Sequence, residues 1–355
     1  MNNFKNLNKN LLFWYTQNKR DLPWRSTMEP YKIWVSEIIL QQTKVKQGLQ
    51  YYYNFIDAFP DISSLAVAPI DELMKIWQGL GYYNRAINMH EAAKQIINDY
   101  NGVFPKSFKE LLKLKGVGKY TAGAIASIAY NEKAPVVDGN VFRVLSRLFG
   151  TDKAIDLADS YEFYANKALK LMGNCNPGTF NQAVMELGAL ICTPNPDCNN
   201  CPLQKHCIAF KSDLQKELPV RIKKKSSSLR FFNYIFISFE NEVLVRKRSE
   251  NDIWKGLYDF PLIESEIILD QHSFLKSKLF HDFINNDEFV LLGVSKQIKV
   301  KLTHQTLFVN FYRIQLKKYP SHFLNCRWVK ISELSKLAVP ACISEFLKIN
   351  FDFSN

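Results

Sequence analysis

The stretch Ser107-Phe-Lys-Glu-Leu-Leu-Lys-Leu-Lys-Gly-Val-Gly-Lys-Tyr-Thr-Ala-Gly-Ala-Ile-Ala-Ser-Ile-Ala129 decides how the first half of the chain is built. Ser107 with Glu110 three residues on is a capping box that opens a short helix through Leu114. Lys115-Gly-Val-Gly-Lys119 breaks that helix, and Tyr120 leads into the next. Gly116 and Gly118 lack the side chains that would hold a ligand away, so backbone N–H groups at the second helix's N-terminus can meet a DNA phosphate. Lys113, Lys115 and Lys119 add positive charge. The reading is helix, hairpin, helix.

Outward from this point, residues 1 to about 210 keep a helical pattern, with glycines at turns and few β-branched alternations. Lys211 to Arg230 is polar and basic and ends in a serine run, which reads as a linker. Beyond it, Phe231–Phe239, Glu242–Arg246, Phe289–Leu292 and Leu307–Leu316 read as strands with weaker helices between them, a smaller α+β domain. The expected fold class is therefore multidomain: an all-α part over 1–210, a linker over 211–230 and an α+β part over 231–355. A chain of 355 residues can fill two or three cores, and 46 Lys+Arg against 34 Asp+Glu gives a net charge of +12 that suits a polyanionic partner. No apolar run reaches the roughly 18 residues of a membrane span and Met1–Arg20 lacks a secretory h-region, so no membrane partner is expected and the chain reads as intracellular.

Two carboxylates stand out. Between Tyr31 and Phe59 apolar residues recur at helical spacing and set Glu37 among Ile33, Trp34, Ile38 and Leu40. Burial there disfavours the charged form and lets Glu37 hold a proton near neutral pH, as a general acid must. Gln41, Gln42 and Thr43 follow, with amide and hydroxyl groups able to read base edges or fill a gap in a strand. Asp138, before the amphipathic run Val141–Phe149, occupies an N-cap position, where backbone donors and the helix dipole favour the ionised form. Two carboxyl groups with opposed environments suit glycosidic bond cleavage, one protonating the leaving group and the other meeting the sugar cation.

Four of the seven cysteines fall in one short run, Cys192-x5-Cys198-x2-Cys201-x5-Cys207. Four thiolates suit zinc or an iron–sulfur cluster. A single Cys-x2-Cys pair flanked closely on both sides, instead of two distant pairs, favours iron–sulfur. Cys175, Cys326 and Cys342 read as ordinary buried thiols.

Trp34-Val-Ser-Glu-Ile-Ile-Leu-Gln-Gln-Thr43, Leu114-Lys-Gly-Val-Gly-Lys-Tyr-Thr-Ala-Gly123, Val137-Asp-Gly-Asn-Val141, Gly79-Leu-Gly-Tyr-Tyr83 and the cysteine run together resemble the helix-hairpin-helix DNA glycosylases, and among them the A/G-specific adenine DNA glycosylase (MutY) family. The resemblance implies a glycosylase domain over 1–210, with the helix-hairpin-helix at about 107–130 and a cluster loop at 192–207. It implies hydrolysis of the N-glycosidic bond of adenine mispaired with 8-oxoguanine or guanine, by base flipping, leaving an abasic site. Glu37 would protonate the flipped adenine and Asp138 would stabilise the sugar cation, with Asn140 and Tyr120 assisting. Tyr82 and Leu40 would wedge into the duplex, and Arg25, Gln41, Gln42, Thr43, Gly116, Gly118 and Lys119 would line DNA or the lesion.

Endonuclease III-type relatives carry a nucleophilic lysine where this chain has Tyr120, and Lys119, one residue off, should turn toward phosphate, so a mainly monofunctional enzyme is expected. The alternatives are a bifunctional glycosylase/lyase and a non-catalytic iron–sulfur DNA-binding protein. The resemblance implies a 4Fe-4S cluster on Cys192, Cys198, Cys201 and Cys207, although the first gap is one residue shorter than the family's usual spacing. Residues 231–355 resemble the family's Nudix-like 8-oxoguanine recognition domain through Trp254-Lys-Gly-Leu-Tyr-Asp-Phe-Pro261. Lys301-Leu-Thr-His-Gln305 resembles its lesion-reading loop, with Thr303 and His304 in the reading places and Leu302 replacing an aromatic. The Nudix catalytic acidic run is absent, so this domain should bind without hydrolysing. The implied partner is double-stranded DNA with A:8-oxoG or A:G mispairs, met by a monomer in a bacterial cytoplasm, at the nucleoid.

Overall fold

The computed structural model describes residues 2–222, 228–248, 252–285, 287–320, 323 and 325–351, with side chains from residue 6 onward. By backbone packing the chain forms two units, Met1–Val67 with Asn88–Lys224, and Ala68–Ile87 with Lys225–Asn355. In chain order the helices up to the cysteine loop and just beyond are α1 (Asn2–Asn18), α2 (Pro30–Ile39), α3 (Val45–Ala58), α4 (Ile62–Val67), α5 (Ile70–Ile76), α6 (Asn84–Tyr100), α7 (Phe108–Leu111), α8 (Lys119–Tyr130), α9 (Gly139–Phe149), α10 (Ser160–Met172), α11 (Pro177–Leu190) and α12 (Ile208–Lys211). Of these, α5 lies in the second unit, as does the first turn of α6.

The segment 31–59 is two helices where one helical run was expected. Helix α2 ends at Leu40, whose N–H still bonds Ser36 O, and Gln42 then takes a left-handed φ of 57° that no continuing helix permits. The capping box is present, with Ser107 Oγ accepting the Glu110 N–H at 3.2 Å, but α7 stops at Leu111 instead of Leu114. Helix α11 starts on Asn176, whose side chain accepts the Thr179 N–H, with Pro177 supplying the fixed φ of a first helical position. Leu11 of α1, Val144 and Leu145 of α9, Tyr164 and Met172 of α10, and Phe180 and Leu187 of α11 form one core. Each such side chain stabilises by roughly 1.5–3 kcal/mol relative to exposure, so this cluster anchors the helices that carry the cavity described below.

The second unit is built on a mixed sheet of β1 (Ser228–Phe239), β2 (Glu242–Lys247), β3 (Tyr258–Asp259), β4 (Leu262–Ser265), β5 (Phe289–Val294), β6 (Ile298–Lys301), β7 (Gln305–Leu316) and β8 (Cys326–Lys330). The order is β3-β2-β1-β7-β5, with β4 also on β1, β6 on β7 and β8 on β2; β1 and β7 run parallel in register Ser228 with Gln305. Along β1, Phe232, Tyr234 and Phe236 face a core with Ile343, Phe346 and Leu347. Ile235 and Ile237 face the opposite core with Phe274, Phe280 and Ile284. This period of two buries both faces, under α13 (Gln271–Leu275) and α14 (Lys278–Ile284) on one side and α15 (Ala341–Asn350) on the other.

Three expectations change. The stretch 211–230 is not a free linker as far as residue 222: Leu218 is buried, its carbonyl accepts from Arg147, and Val220 O accepts the Ile155 N–H at 3.0 Å. Strand β1 begins at Ser228, and residues 223–227 lie outside the described residues. Cys175 and Cys326 are only partly buried, while Cys342 is fully so. Among the described residues no helix is long and apolar enough to cross a membrane.

Candidate active site

Glu37, Leu40 and Thr43 from α2 and the turn after it, Tyr120 from α8, and Asp138 and Asn140 at the start of α9 line one cavity of about 430 Å³. Glu37 is buried, and desolvation pushes its carboxyl up to about 7, with Asp138 adding to the rise while the Tyr120 hydrogen bond and Arg25 oppose it. The Tyr120 hydroxyl, shared between Glu37 and Met185 Sδ at 3.6 Å, is held far above the usual phenol range by burial and the two carboxylates. It remains a neutral donor.

Asp138 caps α9 as the sequence suggests, accepting the Val141 N–H at 2.8 Å and the Asn140 amide at 2.9 Å. Its acidity is not what the cap alone implies. Burial outweighs the hydrogen bonds from Val141 and Asn140 and the charge of Arg143, and raises the carboxyl above its ordinary value. The two carboxyl groups are therefore shifted in the same direction. The difference between them lies in donors: Asp138 holds a set of N–H groups that favours its anion, and Glu37 has one hydroxyl.

Arg25 faces the cavity, but its guanidinium is committed. It grips Glu186 through two bonds of 2.8 and 2.7 Å, while Arg20 adds its backbone N–H and two guanidinium bonds of 2.9 and 2.6 Å to the same carboxylate. These donors hold Glu186 down at about 2 in spite of burial. Arg20, Gln182, Met185 and Glu186 are cavity residues that the sequence reading missed. The signal was available: Gln182, Met185, Glu186 and Ala189 recur at i, i+3, i+4 and i+7 and form the face of α11 turned to the cavity.

The remaining residues lie elsewhere. Gln41 reaches Thr121 Oγ1 at 3.3 Å, and Gln42 is exposed. Gly116 and Gly118 form the hairpin: Gly116 has φ +73° with Asn88 packed against it, and Gly118 caps α8 with open space beside it. Lys119 turns away from the cavity and lies over the Tyr161 ring at 4.9 Å, 3.7 Å from Glu162. In the second unit Tyr82 takes a φ of 49°, and its hydroxyl hydrogen-bonds Thr303, so the expected wedge and the expected reading loop meet. Thr303 and His304 are exposed at the tip of the β6–β7 hairpin.

Cys192, Cys198, Cys201 and Cys207 line a second, small chamber with Arg147. Arg147 donates to Cys192 Sγ at 3.5 Å and ties down the short loop through Thr193 O at 2.6 Å and Pro194 O at 3.2 Å. Burial and the neighbouring thiols push Cys201 up to about 12 while it remains a thiol. Among the described residues no three His, Cys, Asp or Glu side chains converge as one metal ion requires.

Residues 35–171 match the family model described as HhH-GPD superfamily base excision DNA repair protein, and residues 233–348 match that of the NUDIX domain. Hairpin, cavity and second unit together define a base-excision DNA glycosylase of the helix-hairpin-helix superfamily with a Nudix-like domain attached. The adenine DNA glycosylase of Buchnera aphidicola subsp. Baizongia pistaciae is 34% identical over 348 residues, 95% of this chain and 94% of that protein. That of Buchnera aphidicola subsp. Schizaphis graminum is 40% identical over 264 residues, 72% and 75% of the two chains. A solved thermostable thymine-DNA glycosylase superposes with a TM-score of 0.55 at 32% identity, over 59% of this chain and 97% of its own. The chain belongs to the adenine DNA glycosylase family.

Proposed function

We propose that the chain hydrolyses the N-glycosidic bond of adenine mispaired with 8-oxoguanine or guanine in duplex DNA and leaves an abasic site. The observation that carries this reading is Glu37, buried in the same cavity as Asp138, Tyr120 and Asn140 and half protonated near pH 7. An adenine inside a duplex cannot reach that cavity, so it is extruded, at lower cost from a mispair than from a correct pair. Glu37 gives its proton to a ring nitrogen and the base leaves. Asp138, held by Val141 N–H and Asn140, meets the positive charge that develops on the sugar, and water completes the hydrolysis. Tyr120 stays neutral and offers no amine, which supports hydrolysis without strand cleavage.

On the second unit, Tyr82 wedges beside the lesion and Thr303 and His304 read it, supported by the Tyr82–Thr303 hydrogen bond. The hairpin N–H groups at Gly116 and Gly118, with Lys119, hold phosphate, and Leu40, Gln41, Gln42 and Thr43 fill the gap left by the base. This Nudix-like domain binds without hydrolysing, because the sequence has no Arg-Glu-x-x-Glu-Glu run to hold magnesium at a pyrophosphate.

The four thiols fit a 4Fe-4S cluster better than zinc. The cysteines line one small chamber with Arg147, and a single Cys-x2-Cys pair flanked closely on both sides supports a cluster over the two distant pairs usual for zinc. Cys192, Cys198, Cys201 and Cys207 would be the ligands, Arg147 supplies countercharge, and Lys205, His206 and Lys211 on and just past this loop face phosphate. A cluster held by these four residues would supply structure to the loop. The working form is a monomer in a bacterial cytoplasm, at the nucleoid.

Glu37→Gln tests the assignment. Duplex binding persists and adenine release falls by two or more orders of magnitude in single turnover; release at the wild-type rate would remove Glu37 from the chemistry.

A further inference from the structure

Tyr15 on α1 and Gln182 on α11 meet behind the cavity wall, where the Tyr15 hydroxyl donates to Gln182 Oε1 at 2.6 Å. Tyr15 is only 4% exposed, and burial raises its pKa, so the proton stays on the oxygen. Its ring is fixed in turn by Arg25, whose guanidinium lies 5.8 Å from the ring centre. An amide has two unlike ends, and a hydroxyl proton is accepted only by the oxygen. In this contact the oxygen end of Gln182 is the committed one. Gln182 lines the cavity, is partly exposed, and its amide nitrogen has no hydrogen-bond partner among the described residues.

The other polar groups on this wall are engaged. The Glu186 carboxylate already takes five N–H donors from Arg20 and Arg25. Asn140 donates to Asp138 and accepts from Arg143, and the Ser36 hydroxyl donates to Ile33 O. On the α11 side of the cavity, the Gln182 N–H is the donor left for a ligand.

We infer that Tyr15 is a specificity-determining positioning residue: by holding the Gln182 carbonyl it turns the amide N–H toward a ring-nitrogen acceptor of the flipped base. This rests on the proposal that a purine enters the cavity. Adenine offers acceptors at its ring nitrogens, and a base presenting N–H at the contacted place would face donor against donor, with a buried polar group left unpaired.

The test is a double-mutant cycle of Tyr15→Phe and Gln182→Ala in the full-length protein. Affinity is measured for a duplex bearing a 2′-fluorinated adenosine, whose glycosidic bond resists cleavage, opposite 8-oxoguanine. A duplex with an abasic site in the same place is the reference. Tyr15→Phe keeps the ring and removes only the donor. It is expected to weaken binding of the adenosine duplex about tenfold and of the abasic duplex less than twofold, and to add less than twofold once Gln182 is alanine. Additive losses in the double variant, or equal losses on both duplexes, would overturn the inference. Absence of adenine release by the wild type would instead remove the proposed activity, and the affinity cycle would still report on Tyr15.

Discussion

Burial pushes the Glu37 carboxyl up to about 7, and that has a cost to the fold with a definite sign. Its carboxyl titrates at about 7 in the folded chain against 4.5 when free. Below about 4.5 both states carry the proton and nothing is lost. As pH rises from there the unfolded chain ionises first, so stability falls, and above 7 the penalty is complete at about 3 kcal/mol. Glu37→Gln should therefore melt higher than the wild type at pH 8, by roughly 2–3 kcal/mol, and alike at pH 4. In the wild type adenine release should fall as pH passes above 7. Thermal unfolding at the two pH values and single-turnover rates between pH 6 and 9 check both, and equal melting at pH 8 would contradict them. Glu186 behaves in the opposite way, since its folded pKa is depressed to about 2. Its contribution is present above about 4.5 and lost as pH falls toward 2. Glu186→Gln strands Arg20 and Arg25 and should cost about 3 kcal/mol at pH 7, a loss that shrinks in acid denaturation.

At the scale of elements, the hairpin separates stability from binding. An alanine at Gly116 would be strained at φ +73° and would place its Cβ 2.6 Å from Asn88 Cβ, so Gly116→Ala should lower stability by about 1–3 kcal/mol. Gly118 has an ordinary φ of −89° and nothing near its missing Cβ. Gly118→Ala should leave the melting temperature within about 1 °C and weaken duplex binding several-fold, as the new methyl group would stand in the open space where the proposed phosphate contact is made. Equal affinity for DNA would show that the hairpin does not touch it. The hairpin, the buried Glu37 and the N-cap at Asp138 are legible in the sequence because each depends on a few neighbouring residues. The direction of the Asp138 shift is not, because burial comes from helices remote in the chain and outweighs the local cap. Strands β3, β4, β6 and β8 are likewise hidden. They are two to five residues long, too short for an alternation such as the Ile-Lys-Val-Lys of β6 to stand out, and they pair with β1, β2 and β7.

At the scale of the whole molecule, residues 68–87 are continuous in sequence with the helical half but pack in the second unit. Asp71 bonds Lys247 and Tyr258, Lys75 reaches Leu337 O at 3.2 Å, and Tyr82 meets Thr303. A boundary drawn from composition alone cannot see this, because it follows the chain and not the contacts. Lesion choice should accordingly depend on the Tyr82–Thr303 pair. Thr303→Ala is expected to reduce the ratio of adenine release opposite 8-oxoguanine to release opposite guanine several-fold, and Tyr82→Phe to do the same. An unchanged ratio in both would remove the pair from lesion reading.

The measurement that bears most directly on the proposed chemistry is single-turnover strand analysis of a duplex carrying adenine opposite 8-oxoguanine, with and without hot alkali after the enzyme. Breaks that appear only after alkali are predicted, since the proposed roles of Glu37 and Asp138 are those of a hydrolysis and Tyr120 cannot form an imine. Breaks without alkali would contradict hydrolysis as the sole reaction and point to an amine such as Lys119, and no breaks under either condition would contradict adenine release itself.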